Sequence, residues 1–375
     1  MNKVGYFRVW KLFWICLFWL PLPILASDSE AVATEKKLLT GLQSIQTFAF
    51  DQGLTDFASL AHQLPSYQLA QMLKADLYAI KAGRLDWVQE FHAQNNAQSL
   101  LMEAKLRWQG HLRAESQRGD WENLLAQYVL KTSQEQHLLI VDSLAHRIYI
   151  YQTAENGYQE VANFYVTLGK AGMGKQFRGD KKTPIGIYRI DKAITDDRLP
   201  ELYGVGALTL DYPNPWDHRK GRTGSGIWLH GTPRTTYSRA PFDTKGCVAL
   251  NNSAMETLLH QYQLPPSTPV IITSGKVAQT QRVDDEAEKA LVLSKINRWL
   301  RAQQTYQVDW QKVSVYVYPG EDAVYYVEFP TEAGDSVKQY WQRQPEANQP
   351  WQLVYETIQP AKTAIPMLSA ALSTQ

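Results

Sequence analysis

The sequence predicts a multi-domain α+β chain: an N-terminal helical region, a central mostly-β domain and a C-terminal α+β domain. Three observations carry this expectation. Apolar residues recur at helical spacing from residue 28 to about 130. From about 136 to 274 they come in short runs and alternating stretches separated by turn residues, as strands do. Beyond residue 283 a last helical pattern runs into further alternating strands. A chain of 375 residues is long enough for two or three such units.

Taken in order, residues 1–27 read as an export signal. Lys3, Arg8 and Lys11 give a positive start, Leu12 to Leu25 is apolar and aromatic, and Ala26-Ser27 offers small residues for cleavage. The apolar run is short for a membrane span, and Pro21 and Pro23 would break a helix there. A cleaved leader and a periplasmic location are therefore expected, with membrane contact only through the leader if it is retained. Cys16, in the middle of the run, lacks the small-residue context of a lipid-anchor site.

Between 28 and 130 the groups Leu38, Leu42 and Ile45, then Leu69, Met72, Leu73 and Ile80, then Trp121, Leu124, Leu125 and Tyr128 each share a helix face. Gly53, Pro65, Gly83 and Gly119 mark breaks. His62, His92 and His111 do not fall at metal-ligand spacing. In the central unit, Leu138-Leu139-Ile140-Val141, a turn at Asp142-Ser143 and Arg147 to Tyr151 form an opening hairpin. Phe164 to Leu168 and Ile187 to Ile190 are further strands, the second introduced by Thr183-Pro184-Ile185-Gly186. Tyr212 to Pro215 is a loop. Ile227 to His230 and Pro269 to Thr273 are short strands, and Ala254 to Gln263 is a helix capped by Asn251-Asn252-Ser253. In the last unit, 283–360, a helix over Asp284 to Gln304 precedes Val313, Val315 and Val317 alternating with Ser314, Tyr316 and Tyr318. Pro319 to Asp322 turns the chain into Ala323 to Phe329, and two Trp-bearing strands follow, around Trp341 and Trp351. A helix laid on a curved antiparallel sheet is the simplest packing. The Ala/Ser/Thr-rich tail, 361–375, reads as disordered.

Composition narrows the function. The chain has 38 Lys+Arg against 37 Asp+Glu, and the leader takes three of the cations and none of the anions. That balance gives no electrostatic reason to expect nucleic acid. Gly169-Lys170-Ala171-Gly172-Met173-Gly174-Lys175-Gln176 nearly matches a phosphate-binding loop, but Gln176 stands where Ser or Thr would hold magnesium, and no helical pattern follows. A nucleotide is therefore not expected, and the stretch reads as a flexible basic loop. Two cysteines and scattered histidines imply neither a metal nor an organic cofactor. Twelve Trp and twenty Tyr suit both cores and peptide or carbohydrate grooves, and the sequence does not divide the two roles.

The chemistry concentrates around Cys247, the one cysteine left after leader removal. It sits in Thr244-Lys245-Gly246-Cys247-Val248-Ala249-Leu250-Asn251-Asn252, seventeen residues after His230-Gly231. An unpaired thiol in an exported protein is either a small buried hydrophobe or a reactive group. A thiol attacks as thiolate, and an imidazole at the end of an apolar strand can take its proton. A backbone carbonyl, such as that of Gly231, can fix the imidazole tautomer. Gly246 lets the chain turn sharply, so the amides of Gly246 and Cys247 could face an oxyanion. His before Cys argues against the papain-like order, since His260, the one histidine after Cys247, lies within the following helix.

These residues carry a resemblance. The opening hairpin, Thr183-Pro184-Ile185-Gly186, His230-Gly231 and Gly246-Cys247-Val248 with Asn252 and Ala254 resemble the L,D-transpeptidase catalytic domain, the YkuD domain, over 136–274. Lys245 in place of the usual His, and Ala249 in place of the usual Arg, point to the divergent YafK-like branch. The C-terminal helix and Trp-rich sheet resemble an NTF2-like module, a pairing similar to helical-cell-shape peptidoglycan carboxypeptidases. The resemblance implies Cys247 as nucleophile, His230 as base and Gly231 as orienting carbonyl. It implies peptidoglycan stem peptides as substrate, with attack on the bond between the diamino acid and terminal D-alanine. Resolution by an amine gives a cross-link, the L,D-transpeptidase reaction; resolution by water gives an L,D-carboxypeptidase. Release of wall-linked protein and non-catalytic wall binding are the weaker alternatives. Lys245, Arg234, Arg239 and Arg222, with Lys175 and Arg178, are candidates for the stem carboxylates, Lys245 first because it adjoins the thiol and would favour thiolate.

Overall fold

The structure, a computed structural model, describes residues 29–116, 121–133, 135–155, 157–195, 199–274, 286–303, 305–343 and 351–360. The leader 1–27, the tail 361–375 and the first residues of the last expected helix lie outside the described residues. No described helix is long and apolar enough to cross a membrane.

The N-terminal region is helical, as its periodicity predicts: α1 (Glu30–Gln46), α2 (Phe50–Gln63), α3 (Gln68–Lys81), α4 (Leu85–His92) and α5 (Asn95–Ser116). Leu38, Phe57, Leu60, Tyr67, Leu69, Met72, Leu73 and Leu77 form its core. A short helix, α6 (Trp121–Tyr128), ends this run and leads into β1 (Val129–Lys131).

The central unit is built on a sheet in which the described residues give eight strands. Its strands are β2 (His137–Asp142), β3 (Arg147–Ala154), β4 (Gly157–Tyr165), β6 (Gly186–Ile194), β7 (Ala207–Leu210), β8 (Trp228–His230), β10 (Val248–Ala249) and β11 (Pro269–Thr273). They lie in the order β10-β8-β7-β6-β11-β2-β3-β4, while β5 (Leu168–Gly169) pairs with β9 (Phe242–Thr244) beside it, and the short helices α7 (Pro215–Arg219) and α8 (Asn252–Glu256) follow β7 and β10. Every residue of β2 is buried because the strand has cores on both faces. Leu139 and Val141 point into one core, with Ala31 of α1 and Leu258 beyond the Asn251 cap. Leu138 and Ile140 point into the other, against Tyr316, Tyr318, Tyr326 and Tyr340 of the C-terminal unit.

That unit packs α9 (Glu286–Ala302) on a sheet ordered β1-β12-β13-β14-β15, with β12 (Ser314–Val317), β13 (Val324–Pro330), β14 (Ser336–Arg343) and β15 (Trp351–Gln359). The period-two alternation serves two cores. Val313, Val315 and Val317 face Val292, Ile296 and Leu300 of α9, while Tyr316 and Tyr318 face the central sheet. The division of the sequence at residue 130 does not follow the sheets: β1 pairs antiparallel with β12, some 180 residues on, and Leu130 sits in the α9 core. A three-residue strand whose partner is so distant has no local pattern to announce it.

Buried charge ties the units together. Arg107 of α5 pairs with Glu103 at 2.9 Å and with Glu35, and Glu35 also pairs with Arg147 of β3 at 2.9 Å. The Arg107 guanidinium lies 4.0 Å from the Tyr165 ring centre. On the opposite side Arg189 pairs with Glu328; burial alone would raise that carboxyl, but Arg189 and Lys338 hold it down at about 2.

Candidate active site

His230 ends β8, and the parallel pairing with β10 sets Val248 beside Leu229 and Ala249 beside His230. Cys247 therefore stands one residue before the paired strand, level with Trp228. Strand alternation gives Cys247 and Ala249 the same face, the face of His230. Tyr203 lies against that face, its ring edge-on to His230 at 5.0 Å. Burial, and then the charge of nearby Cys247, raise its phenol.

His230 is 2 % exposed, and its Nδ1 lies 2.6 Å from the Gly231 carbonyl oxygen. A carbonyl only accepts, so Nδ1 carries the proton and Nε2 keeps its lone pair. Burial pushes the imidazole down to about 4, against the Gly231 hydrogen bond and helped by the charge of Arg239. Gly231 is glycine because a Cβ there would strike Asn252 Oδ1, which accepts from the Val205 amide at 3.3 Å. Asn252 thus braces the segment that follows the histidine.

The Cys247 thiol is free and donates to the Gly226 carbonyl oxygen at 3.3 Å. Burial raises its pKa, opposed by the Trp228 amide, Arg239 and Lys175. The resting pair is thus neutral thiol and neutral imidazole. Gly246 has φ +127°, and a Cβ on it would lie 2.7 Å from the Lys182 carbonyl oxygen. Only glycine fits both demands.

Several sequence-based expectations change here. The Gly246 amide donates to Thr244 Oγ1 at 3.0 Å, whose own hydroxyl donates to the Cys247 carbonyl at 2.7 Å. It is committed to the turn, so of the two expected oxyanion donors the Cys247 amide alone stays a candidate. Lys245 is exposed, and the cations acting on the thiol are Arg239 and Lys175 instead. Arg222 is held by Asp217 at 3.0 Å and by Glu321 of the C-terminal unit at 2.7 Å, so it braces a loop. Arg234 is exposed and donates its backbone amide to Glu201 at 2.7 Å. Arg239 acts by its charge on both His230 and Cys247, and Asp243 holds its guanidinium at 3.0 Å.

The expected flexible basic loop is ordered. Lys175 is buried and paired with Asp180 at 2.7 Å, and Asp180 also accepts from the amides of Gln176, Phe177 and Lys182. Burial would raise that carboxyl, but these donors hold it at about 2. The amides that a phosphate would need thus already bind a carboxylate of the same loop. Thr183 Oγ1 accepts from the Gly169 amide at 2.9 Å and closes the loop at its base. Tyr203 and the Gly226 carbonyl carry no local motif and emerge only from the packing.

Residues 136–272 match the YkuD family, described as the L,D-transpeptidase catalytic domain. Bd1075 of Bdellovibrio bacteriovorus is similar at 20% identity and TM-score 0.44, over 63% of this chain and 98% of that one. The helical cell shape determining protein Pgp2 of Campylobacter jejuni is similar at 19% identity and TM-score 0.44, over 61% of this chain and 94% of that one. An L,D-transpeptidase of Xylanimonas cellulosilytica is similar at 17% identity and TM-score 0.26, over 38% of this chain and 62% of that one. No curated protein matches this sequence.

Proposed function

We propose that this chain, whose residues 136–272 form an L,D-transpeptidase catalytic domain, is an exported cysteine acyltransferase acting on peptidoglycan stem peptides. The observation that carries the reading is the His230 Nδ1 contact with the Gly231 carbonyl, which aims an unprotonated Nε2 from the strand beside Cys247. In acylation Nε2 takes the thiol proton as sulfur attacks the carbonyl carbon between the diamino acid and D-alanine. The Cys247 amide faces the oxyanion. The C–N bond then breaks, D-alanine leaves with the proton held on His230, and a thioester remains on Cys247. An amine from a second stem resolves the thioester into a cross-link and regenerates the thiol. Water in its place gives the tripeptide. Because both neutral partners must meet, proton transfer belongs to the attack itself and is not completed beforehand.

The test is a mass-resolved product assay on disaccharide-tetrapeptide, comparing wild type with Cys247→Ala, with and without excess free D-amino acid. Dimers or exchange products from wild type alone support the transpeptidase. Tripeptide alone makes water the acceptor. If both proteins leave the substrate intact, the stem-peptide reading fails.

A further inference from the structure

The basic loop after β5, Lys170 to Thr183, has the sequence of an anion-binding loop and holds an anion of its own. The Asp180 carboxylate accepts from Lys175 Nζ at 2.7 Å and from the amides of Gln176, Phe177 and Lys182 at 2.7, 3.2 and 3.1 Å. The side chains of Asp180 and Lys175 are each 4 % exposed, and Lys175 Nζ also donates to the Phe177 carbonyl at 3.2 Å. Backbone amides turned onto one carboxylate form a nest. To bring the Lys182 amide back onto Asp180, the chain passes through Lys181 at φ +57°. A residue with a side chain keeps that conformation only where its surroundings impose it.

This loop touches both segments that surround the Cys247 thiol. On one side the Lys170 amide donates to the Thr244 carbonyl at 2.9 Å, and the Lys182 carbonyl oxygen stands 2.7 Å from where a Cβ on Gly246 would be. On the other side the Thr223 amide donates to the Gln176 carbonyl at 2.9 Å, and the Arg178 amide donates to Thr223 Oγ1 at 3.3 Å. Gly224 lies against the ion pair itself: a Cβ there would meet Lys175 Cε at 3.2 Å and Arg178 Cα at 3.3 Å. Two residues on, the Gly226 carbonyl accepts from the thiol. One loop thus spaces the turn that presents the thiol from the carbonyl on which the thiol rests.

We propose that Asp180 is a positioning residue for Cys247: with Lys175 it locks the loop that sets the Gly246 turn against the Gly226 carbonyl. The role rests on Cys247 as the nucleophile of the reaction above, and not on which acceptor resolves the thioester. A buried ion pair adds little net stability and here selects one arrangement of the loop over its neighbours.

Asp180→Asn in the full-length protein keeps the size of the side chain, gives up one accepting oxygen and leaves Lys175 uncompensated. Around the thiol stand His230, the Tyr203 phenol, Arg239 and Lys175, so the unbalanced cation favours thiolate. Turnover of the folded variant on disaccharide-tetrapeptide is expected to fall roughly a hundredfold, the effect of a reacting group displaced by about 1 Å. Alkylation of Cys247 by iodoacetamide at neutral pH, followed by mass spectrometry, is expected to quicken roughly threefold. A purely structural Asp180 would lower the urea midpoint and leave both rates of the folded protein as in wild type. Either rate unchanged in folded Asp180→Asn overturns the proposal.

Thr223→Val, at an exposed position, removes the acceptor that ties Arg178 to the Gly226 segment and changes no charge. It is expected to cut turnover about fivefold, the loss of one hydrogen bond, at an unchanged urea midpoint. Alkylation should quicken too, because a thiol released from the Gly226 carbonyl gives up its proton more readily. This variant decides the matter where Asp180→Asn does not fold, and wild-type rates in it then overturn the proposal. Wild-type protein that leaves the tetrapeptide intact refutes the stem-peptide reaction instead, and the alkylation rates then decide the positioning role alone.

Discussion

Lowering the pH should unfold this protein in a way that depends on His230. An exposed imidazole titrates near 6.5, whereas burial pushes this one down to about 4. Between those values the unfolded chain binds a proton that the folded chain excludes. The contribution is fully present above pH 6.5 and is lost as pH falls towards 4. At about 1.4 kcal/mol per pH unit, the gap amounts to roughly 3 kcal/mol. His230→Asn keeps a donor for the Gly231 carbonyl and removes the titration. Urea denaturation of both proteins, at neutral pH and near pH 4, checks the difference. His137 and His146 are also buried with lowered pKa values, but they act equally in both proteins and cancel. Wild type should lose roughly 3 kcal/mol more than the variant on acidification. Parallel losses would refute the reasoning, because the folded state would then hold imidazolium comfortably, as an ion pair with a thiolate.

The same neutral pair predicts that alkylation of Cys247 by iodoacetamide climbs only on the alkaline side of the ordinary thiol range; a rate plateau below neutrality would contradict it. Arg222→Leu strips the buried Asp217 of its guanidinium, so about 3 kcal/mol of stability should go, with KM of the remaining folded enzyme unchanged. A raised KM at full stability in urea and steady-state assays would restore Arg222 to the substrate. Gly246→Ala should cost roughly 1–3 kcal/mol in backbone strain and displace the thiol, abolishing product while the far-UV spectrum persists. Retained turnover would show that the turn has room for a side chain.

Much of this was legible in the residues themselves. The 3.6-residue spacing of Leu69, Met72, Leu73 and Ile80 marks α3, and all but Ile80 lie fully within its core. The Val/Tyr alternation from Val313 to Tyr318 marks β12, although nothing local says that both faces are covered. His230-Gly231 and Gly246-Cys247 carry the pair because each glycine answers a steric demand: a Cβ on the first would meet Asn252 Oδ1, and one on the second the Lys182 carbonyl oxygen at 2.7 Å. The charges were not legible. Lys245 adjoins the thiol in sequence yet is exposed, whereas Lys175 and Arg239 act on it from distant segments. Arg222 has the composition of a substrate ligand and the partners of a brace, and one of them, Glu321, is 99 residues away. Ion pairing of that range depends on how the units dock, which no local pattern encodes.

The docking also shows what the two flanking units do for the segments that carry His230 and Cys247. The thiol rests on the Gly226 carbonyl, and the segment before Gly226 carries Trp216, stacked on Tyr340, and Arg222, paired with Glu321. That side of the Cys247 site is therefore set by the C-terminal sheet. Arg239 acts on both His230 and Cys247, and its segment is held by Ser238 on Glu103 and by Tyr237 on Tyr67. That side is set by the helical region. Reacting groups displaced by about 1 Å lose orders of magnitude in rate, so in the proposed reaction bracing both loops from outside serves catalysis as much as structure. The braces are buried ion pairs and hydrogen bonds, which add little net stability but fix one geometry against its neighbours. A change in either flank should therefore reach the chemistry through a loop position as well as the fold.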